Sequence, residues 1–445
     1  MRLDVYVKGQ CIGALDQTGV TSFSFAYLPD AKHAVSLTMP IRTASYEAPF
    51  LHPVFQVSLP EGDLRREIEN TLIKRMDAFG DMAVLSVVGT SLVGRVQVVP
   101  QGSPSPTESQ DEVDLLSTVL SHGASREMVA EFVARHAISS GVSGGYLKVL
   151  SKLMDSGQHA AASVGRWIVK FSDLEHPYLA LNEYLSMSAS SRADLHVPKM
   201  HLSDNGQVLL VERFDVAENG DKRGFEDICS LMALPSGQKF TGSAEGIIKT
   251  LKQFVAPEYV SSSLKIFFKQ YACAVMMRNG DAHLKNFGIL YSEPSDARLS
   301  PCYDMVTMSA YAHFMPSGKV DDMMALTLAG TKRWPGIKQM EMLATRCGLS
   351  QLDCKKILNE VAVAVNDTAK DVQEAINKHP DFYDVGNRML NLWSDGISSL
   401  KMEVSFSCEP VQKIDNKSEN PSDLELCPLC GQADCDGSCG GDIPK

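Results

Sequence analysis

The chain has 445 residues, 44% of them hydrophobic and 22% charged, which suits two or three globular domains and excludes a disordered or fibrous protein. A net charge of −12 argues against nucleic-acid binding by the surface as a whole, so any DNA contact needs a local basic patch or a basic partner. The start, Met1-Arg2-Leu3-Asp4, lacks the apolar stretch of an export signal, and no apolar run reaches the roughly 18 residues of a membrane span; a cytoplasmic protein without a membrane partner is expected.

The opening predicts strands. Residues 3–7 alternate in polarity, residues 10–15 follow a glycine turn, and residues 22–28 alternate again. From Pro60 the pattern turns helical, with Leu64, Ile68, Leu72 and Ile73 at three-to-four spacing, and residues 95–100 read as a strand. The Ser-, Pro- and Thr-rich stretch 101–110 predicts a surface loop and a domain boundary. Short helices are expected at 114–120 and 126–136, a Gly/Ser-rich turn at 139–145, and a strand at 147–150. Residues 166–171 predict a strand, 179–190 a helix and 207–214 a strand. From Phe225 onward helices dominate, at 244–254, 261–278, 337–347, 351–376 and 383–401. A β-rich half followed by a helical half predicts an α+β fold in two lobes. The expected divisions are 1–105, 106–215, 216–402 and a polar, mobile tail at 403–445.

The most informative segment is Asn279-Gly280-Asp281-Ala282-His283-Leu284-Lys285-Asn286. A carboxylate, Asp281, stands five positions before a carboxamide, Asn286, and a second carboxylate, Asp304, follows in Pro301-Cys302-Tyr303-Asp304-Met305. Phosphoryl transfer from ATP needs such parts: a group to take the substrate hydroxyl proton and oxygen ligands for Mg2+. The polar cluster lies between apolar runs at 273–277 and 287–290, which predicts a loop held inside the fold, where charge is costly unless a ligand or metal uses it. Asp281 is the candidate base, Asn286 and Asp304 the candidate metal ligands, and Lys285 a candidate for neutralising charge on the moving phosphoryl group. His283 reads as a structural or nucleotide-contacting side chain.

Three upstream features fit a nucleotide. Lys170 closes the apolar strand Trp167-Ile168-Val169-Lys170-Phe171 and places an ammonium at the strand end, with Glu183 on the next helix to orient it. The turn Gly141-Val142-Ser143-Gly144-Gly145-Tyr146 offers backbone N–H groups to phosphate oxygens, with Lys148 on the strand behind it. The run Glu212-Arg213-Phe214-Asp215 ends a strand at the expected lobe boundary, where a hinge can bind an adenine edge.

Taken together the motifs resemble the HipA-type serine/threonine kinase toxins of bacterial type II toxin–antitoxin modules, over roughly residues 1–400. They are Leu59-Pro60-Glu61-Gly62 with Arg65, Val142-Ser143-Gly144 with Lys148, Val169-Lys170, Asn182-Glu183-Tyr184, Val211 to Asp215, Gly280 to Phe287, and Tyr303-Asp304. The resemblance implies a two-lobe protein-kinase-like fold with an extra N-terminal subdomain, with ATP and Mg2+ as cofactors. It places nucleotide contacts on Ser143, Gly144, Gly145, Lys148, Lys170, Glu212, Phe214, His283, Asn286 and Asp304, the metal on Asn286 and Asp304, and the base on Asp281. It also implies a small helix-turn-helix antitoxin of HipB type, operator DNA bound through that antitoxin, and a translation protein such as an aminoacyl-tRNA synthetase as substrate. Two departures stand out: the end of the phosphate loop reads Tyr146-Leu147-Lys148, and Gly141 occupies the position of the serine that many members autophosphorylate, with Ser139, Ser140 and Ser143 nearby.

Seven of the eleven cysteines are scattered, as in a reducing compartment. Cys427, Cys430, Cys435 and Cys439 crowd the tail, where four thiolates suit a small Zn2+ knuckle or a Cys-bearing disordered segment. Two other functions fit parts of the sequence. A catalytically idle co-repressor would be expected to lack the Asp or Asn of the loop, and a small-molecule phosphotransferase would not need the Leu-Pro-Glu-Gly subdomain.

Overall fold

The structure, a computed structural model, describes residues 1–57, 59, 65, 69, 80–90, 92–106, 161–164, 166–172, 175–314, 322–402, 404 and 406. The expected helices at 114–120 and 126–136, the phosphate loop with Ser143, Gly144, Gly145 and Lys148, and the four tail cysteines lie outside them. So does most of the helical pattern after Pro60.

The first sheet is antiparallel and has five strands: β1 (Arg2–Val7), β2 (Gln10–Gly19), β3 (Ser22–Tyr27), β4 (Tyr46–Ala48) and β5 (Val96–Pro100), in the order β4-β3-β2-β1-β5. Period-two alternation sends Leu3, Val5 and Val7 of β1 to one face, each at most 1% exposed. Lys8 and Gly9, both at positive φ, make the tight β1–β2 turn. Helices α1 (Pro53–Gln56) and α2 (Asp81–Val88) supply further buried side chains, Phe55 and Val84 among them. β4 and α2 were not anticipated; α2 is apolar nearly all round, so its sequence shows no helical stripe.

The second sheet holds β6 (Ala161–Val164), β7 (Trp167–Phe171), β8 (Met200–Leu202) and β9 (Val208–Glu212), ordered β6-β7-β9-β8. Its two faces decide where the site lies. Val169 and Phe171 of β7, with Val208 and Leu210 of β9, join the core of the first sheet, so the two sheets share one apolar interior. Ile168 faces the other way and packs with Ala180 of helix α3 (Leu179–Arg192). Lys170, two residues on, shares that face and is thereby aimed at α3.

The remainder is mostly helical: α4 (Ile228–Leu231), α5 (Ala244–Phe254), α6 (Val260–Met276), α7 (Ile337–Arg346), α8 (Gln351–Lys378) and α9 (Tyr383–Ser399). Ser243 caps α5 and Ser350 caps α8 through side-chain oxygens. The C-terminal half of α6 is buried all round, from Phe267 to Met276, so it is the central helix of this lobe. Gly396 of α9 crosses the end of α6 so closely that an added Cβ would lie 2.0 Å from the Met276 carbonyl oxygen. A small antiparallel sheet, β10 (Gly224–Asp227), β11 (Gly288–Tyr291) and β12 (Arg298–Leu299), also lies in this half. The sequence did not reveal it, because each strand has four residues or fewer and β11 is buried on both faces, leaving no alternation to read.

Polar groups bolt the N-terminal sheet to the rest of the fold. Arg213 and Asp215 pair through two hydrogen bonds, at 3.0 and 2.5 Å, and Asp215 also accepts from Gly94 N–H at 2.7 Å while Arg213 donates to the Leu92 carbonyl. The hinge-like Glu212-Arg213-Phe214-Asp215 is therefore partly a fastener of the β5 approach. Arg95 donates to the carbonyls of Ser292 and Ala34 with its guanidinium over the Tyr291 ring.

Glu226, 1% exposed, accepts from Ser36 Oγ, Leu37 N–H and Tyr291 Oη at 2.5–2.7 Å. Burial raises its pKa above the ordinary glutamate value, against those hydrogen bonds and Arg95. An acid whose pKa rises on folding holds its proton more tightly when folded, so its contribution to stability falls as pH climbs above 4.5. Glu226→Gln removes that titration and retains a group able to accept from Leu37 and Tyr291 and donate to Ser36. The Tm difference, variant minus wild type, is expected to grow more positive from pH 4.5 upward in thermal melts; a difference independent of pH would contradict this.

Candidate active site

Four of the expected residues meet between the second sheet and the helical lobe. Lys170 Nζ donates to Glu183 Oε1 at 2.6 Å and also to Asp304 Oδ1. Asp304 Oδ2 lies 3.4 Å from the Asn286 carboxamide nitrogen. Burial works against the Lys170 charge, but Asp304 and Glu183 together hold the ammonium above its ordinary range. Glu183 is pushed up by burial, with Lys170 pulling the other way. The pair is held in register by α3 itself. Asn182, the preceding residue, is fully buried, accepts from Thr307 N–H at 2.9 Å and donates to the Thr307 carbonyl at 3.1 Å. It thus ties the helix carrying Glu183 to the segment carrying Asp304.

Asp304 has φ of 53°, a left-handed backbone that aspartate adopts at a cost. The conformation persists because its neighbours pin it: Tyr303 Oη donates to the Lys285 carbonyl at 2.7 Å, and Asn279 Nδ2 donates to the Asp304 carbonyl at 3.2 Å. Arg278, also left-handed at φ 53°, turns the chain out of α6 into the polar loop. Its guanidinium, only 7% exposed as a residue, rests over the Trp334 ring.

The loop 279–286 is internally wired. Asn279 Oδ1 accepts from Asp281 N–H at 3.1 Å, and Asn286 Oδ1 accepts from His283 N–H at 3.0 Å. The Asp281 side chain is 47% exposed, with His283 Nε2 4.0 Å from its carboxylate. An open carboxylate on a loop wired in this way suits proton acceptance from an incoming hydroxyl.

Four further expected residues, Lys285, Glu212, Phe214 and His283, have protein partners of their own. Lys285 Nζ donates to Ser236 Oγ at 3.1 Å, in a small pocket shared with Gln56 of α1, so its ammonium serves the junction with the N-terminal sheet. The Glu212 carboxylate is engaged by Arg166 at 3.2 Å and Lys199 at 3.6 Å. Phe214 packs against Phe225 and Tyr303 with ring centroids 5.3 and 5.5 Å away, next door to Asp304 in sequence. His283 stacks edge-on against Phe240 at 5.1 Å.

Asn279 is the residue that sequence reasoning passed over. It begins the quoted loop and is 1% exposed, yet its one side chain holds both the Asp281 N–H and the Asp304 carbonyl. A buried Asn between an apolar helix end and Gly280 was the available signal. Asn279→Ala is expected to release both the Asp281 N–H and the Asp304 carbonyl, read as faster amide hydrogen exchange across 279–286 and 303–305 with the rest of the fold unchanged; exchange as slow as in the wild type would contradict this.

A sheet lobe carrying a Lys–Glu pair, facing a helical lobe whose loop carries an Asp and an Asn five apart, is a kinase-like two-lobe fold. Comparison with known proteins makes the relationship specific. Residues 140–369 match the family described as HipA-like C-terminal domain, and residues 3–99 match the HipA N-terminal domain. The chain belongs to the HipA family. A Sinorhizobium fredii protein named "Putative kinase Y4dM" is 25% identical over 385 residues, covering 78% of this chain and 86% of the relative. A second from the same organism, "Putative kinase Y4mE", is 24% identical over 433 residues, covering 91% and 99%. The fold matches a solved Shewanella oneidensis structure, titled as a toxin–antitoxin system of HipA, HipB and operator DNA, with a TM-score of 0.63 and 16% identity over 90% of this chain and 98% of that one. Among the described residues no helix is long and apolar enough to cross a membrane.

Proposed function

We propose that the chain is an ATP- and Mg2+-dependent serine/threonine protein kinase acting as the toxin of a type II toxin–antitoxin pair. The observation that carries the reading is the convergence of Lys170, Glu183, Asp304 and Asn286 beside the open Asp281. Asp304, 40% exposed, offers carboxylate oxygen, and the neighbouring Asn286 carboxamide would add its oxygen, now accepting from His283 N–H, which fits an ion that takes one or two protein ligands and completes its shell with phosphate and water. Mg2+ held there would neutralise charge on the β- and γ-phosphate oxygens.

The residues of the chain divide the remaining work. Lys170, held by Glu183, orients the phosphates, and Asn279 fixes the loop backbone. Asp281 takes the proton of the substrate hydroxyl as its oxygen bonds to the γ-phosphorus and the bond from that phosphorus to ADP breaks. The loop around Ser143, Gly144, Gly145 and Lys148 is assigned the outer phosphate contacts, and Phe214 and His283 the nucleotide's flanks. By likeness to the Shewanella protein, a HipB-type antitoxin would neutralise the chain and carry the pair to operator DNA. The substrate is a cellular protein of translation, phosphorylated on Ser or Thr.

Expression of the chain alone should arrest growth, and co-expression with the product of the adjacent gene should relieve the arrest. Growth unaffected by the soluble chain at high level would sink the toxin reading. Failure to transfer the γ-phosphate of labelled ATP to any protein of a cell lysate would sink the kinase reading.

A further inference from the structure

Two large apolar side chains stand exposed on either side of the loop that carries Asp281. Phe240 is 41% exposed and packs on His283, and Met323 is 43% exposed. Their backbones are fixed to the loop. Leu284 N–H donates to the Lys239 carbonyl at 3.1 Å, and the Met323 carbonyl oxygen lies 3.0 Å from where a Cβ on Gly280 would be. Lys332 joins the two sides: its ammonium donates to the Phe240 carbonyl at 3.3 Å, and its own carbonyl accepts from Met324 N–H at 2.8 Å. Together they offer one apolar contact on each side of the loop.

Among the described residues, the charged side chains beside Phe240 are basic. Lys239 Nζ is 5.4 Å from the Phe240 ring centroid, Lys332 is next to it, and Arg333 is exposed beyond. Asp322, the acid adjoining Met323, is turned inward to Ser309 and the Trp334 indole at 2.7 and 2.8 Å. A basic rim in a chain of net charge −12 is a local reversal of the overall field, and it attracts acidic groups.

We propose that Phe240 and Met323 seat an apolar side chain of the substrate protein beside its phosphoacceptor, while Lys239, Lys332 and Arg333 select acidic residues around it. This deepens the kinase reading and rests on it. The occupant is a segment of substrate protein containing Ser or Thr, one neighbouring aliphatic or aromatic residue, and Asp or Glu within a few positions.

The test is phosphorylation of a degenerate Ser/Thr peptide library by the full chain with labelled ATP and Mg2+. Enrichment of Leu, Ile, Met or Phe together with Asp or Glu is expected among phosphorylated peptides. Met323→Ala should raise the KM for a selected peptide about ten-fold, the scale of one lost apolar contact. Arg333→Glu should reverse the acidic preference, and both variants should keep the wild-type ATP hydrolysis rate without peptide. Transfer with no flanking preference, or with the same preference in both variants, overturns the docking surface and leaves the kinase reading standing. No transfer to any peptide while lysate proteins are still labelled also overturns the docking surface, and no transfer to either overturns both.

Discussion

Replacing Asp281 with Asn is expected to slow phosphoryl transfer by about 10² to 10⁴-fold, the range a positioned general base supplies. The substitution keeps the shape and the hydrogen bond from Asp281 N–H to Asn279, so the loop should stay in place. Only the ability to take a proton is lost. Because the side chain is 47% exposed and outside the Lys170 cluster, neither folding nor ATP affinity should change much. Single-turnover transfer and calorimetric ATP binding separate the two effects, and growth on overexpression should be restored in parallel. A variant as active as the wild type would remove Asp281 from the chemistry.

The parts of this fold that could be read in advance are those whose chemistry is local. The alternation of Leu3, Val5 and Val7 gave β1, and the apolar stripes of α5 and α8 gave those helices within a few residues. The spacing of Asp281, Asn286 and Asp304 proposed a cluster, and the structure brings Asn286 and Asp304 together with Lys170 and Glu183. What stayed hidden depends on partners far apart in sequence. Lys285 is a candidate for the phosphoryl group because it lies in the loop, and its hydrogen bond to Ser236, forty-nine positions earlier, could not be read from that spacing. Arg213 and Asp215 read as a hinge because a strand ends there, whereas their partners are Leu92 and Gly94 in the N-terminal sheet. Asn279 was given no role; its role follows from Asp304, twenty-five positions on. Strands β10 and β11 were missed because short, doubly buried segments carry no period.

Lys170→Met is expected to abolish transfer and also to destabilise the protein, and a second substitution should separate those losses. With the ammonium gone, Glu183 is left with a 9% exposed side chain, facing Asp304 without a cation between them. Breaking a buried pair on one side costs on the order of 3 kcal/mol, most of it the charge left behind. Asp304, at 40% exposure, is eased by solvent, so Glu183 carries most of the penalty. Glu183→Gln in the same chain removes the stranded charge. The double variant should therefore recover most of the urea-unfolding stability lost by Lys170→Met, while transfer stays absent because nothing orients the phosphates. At low pH the single variant should regain stability as well, since Glu183, already raised by burial, takes up a proton more readily once Lys170 is gone. If stability in the double variant stays as low as in the single one, the cost lies in lost packing of the lysine stem on β7, and the electrostatic account of the Lys170–Glu183 pair is wrong.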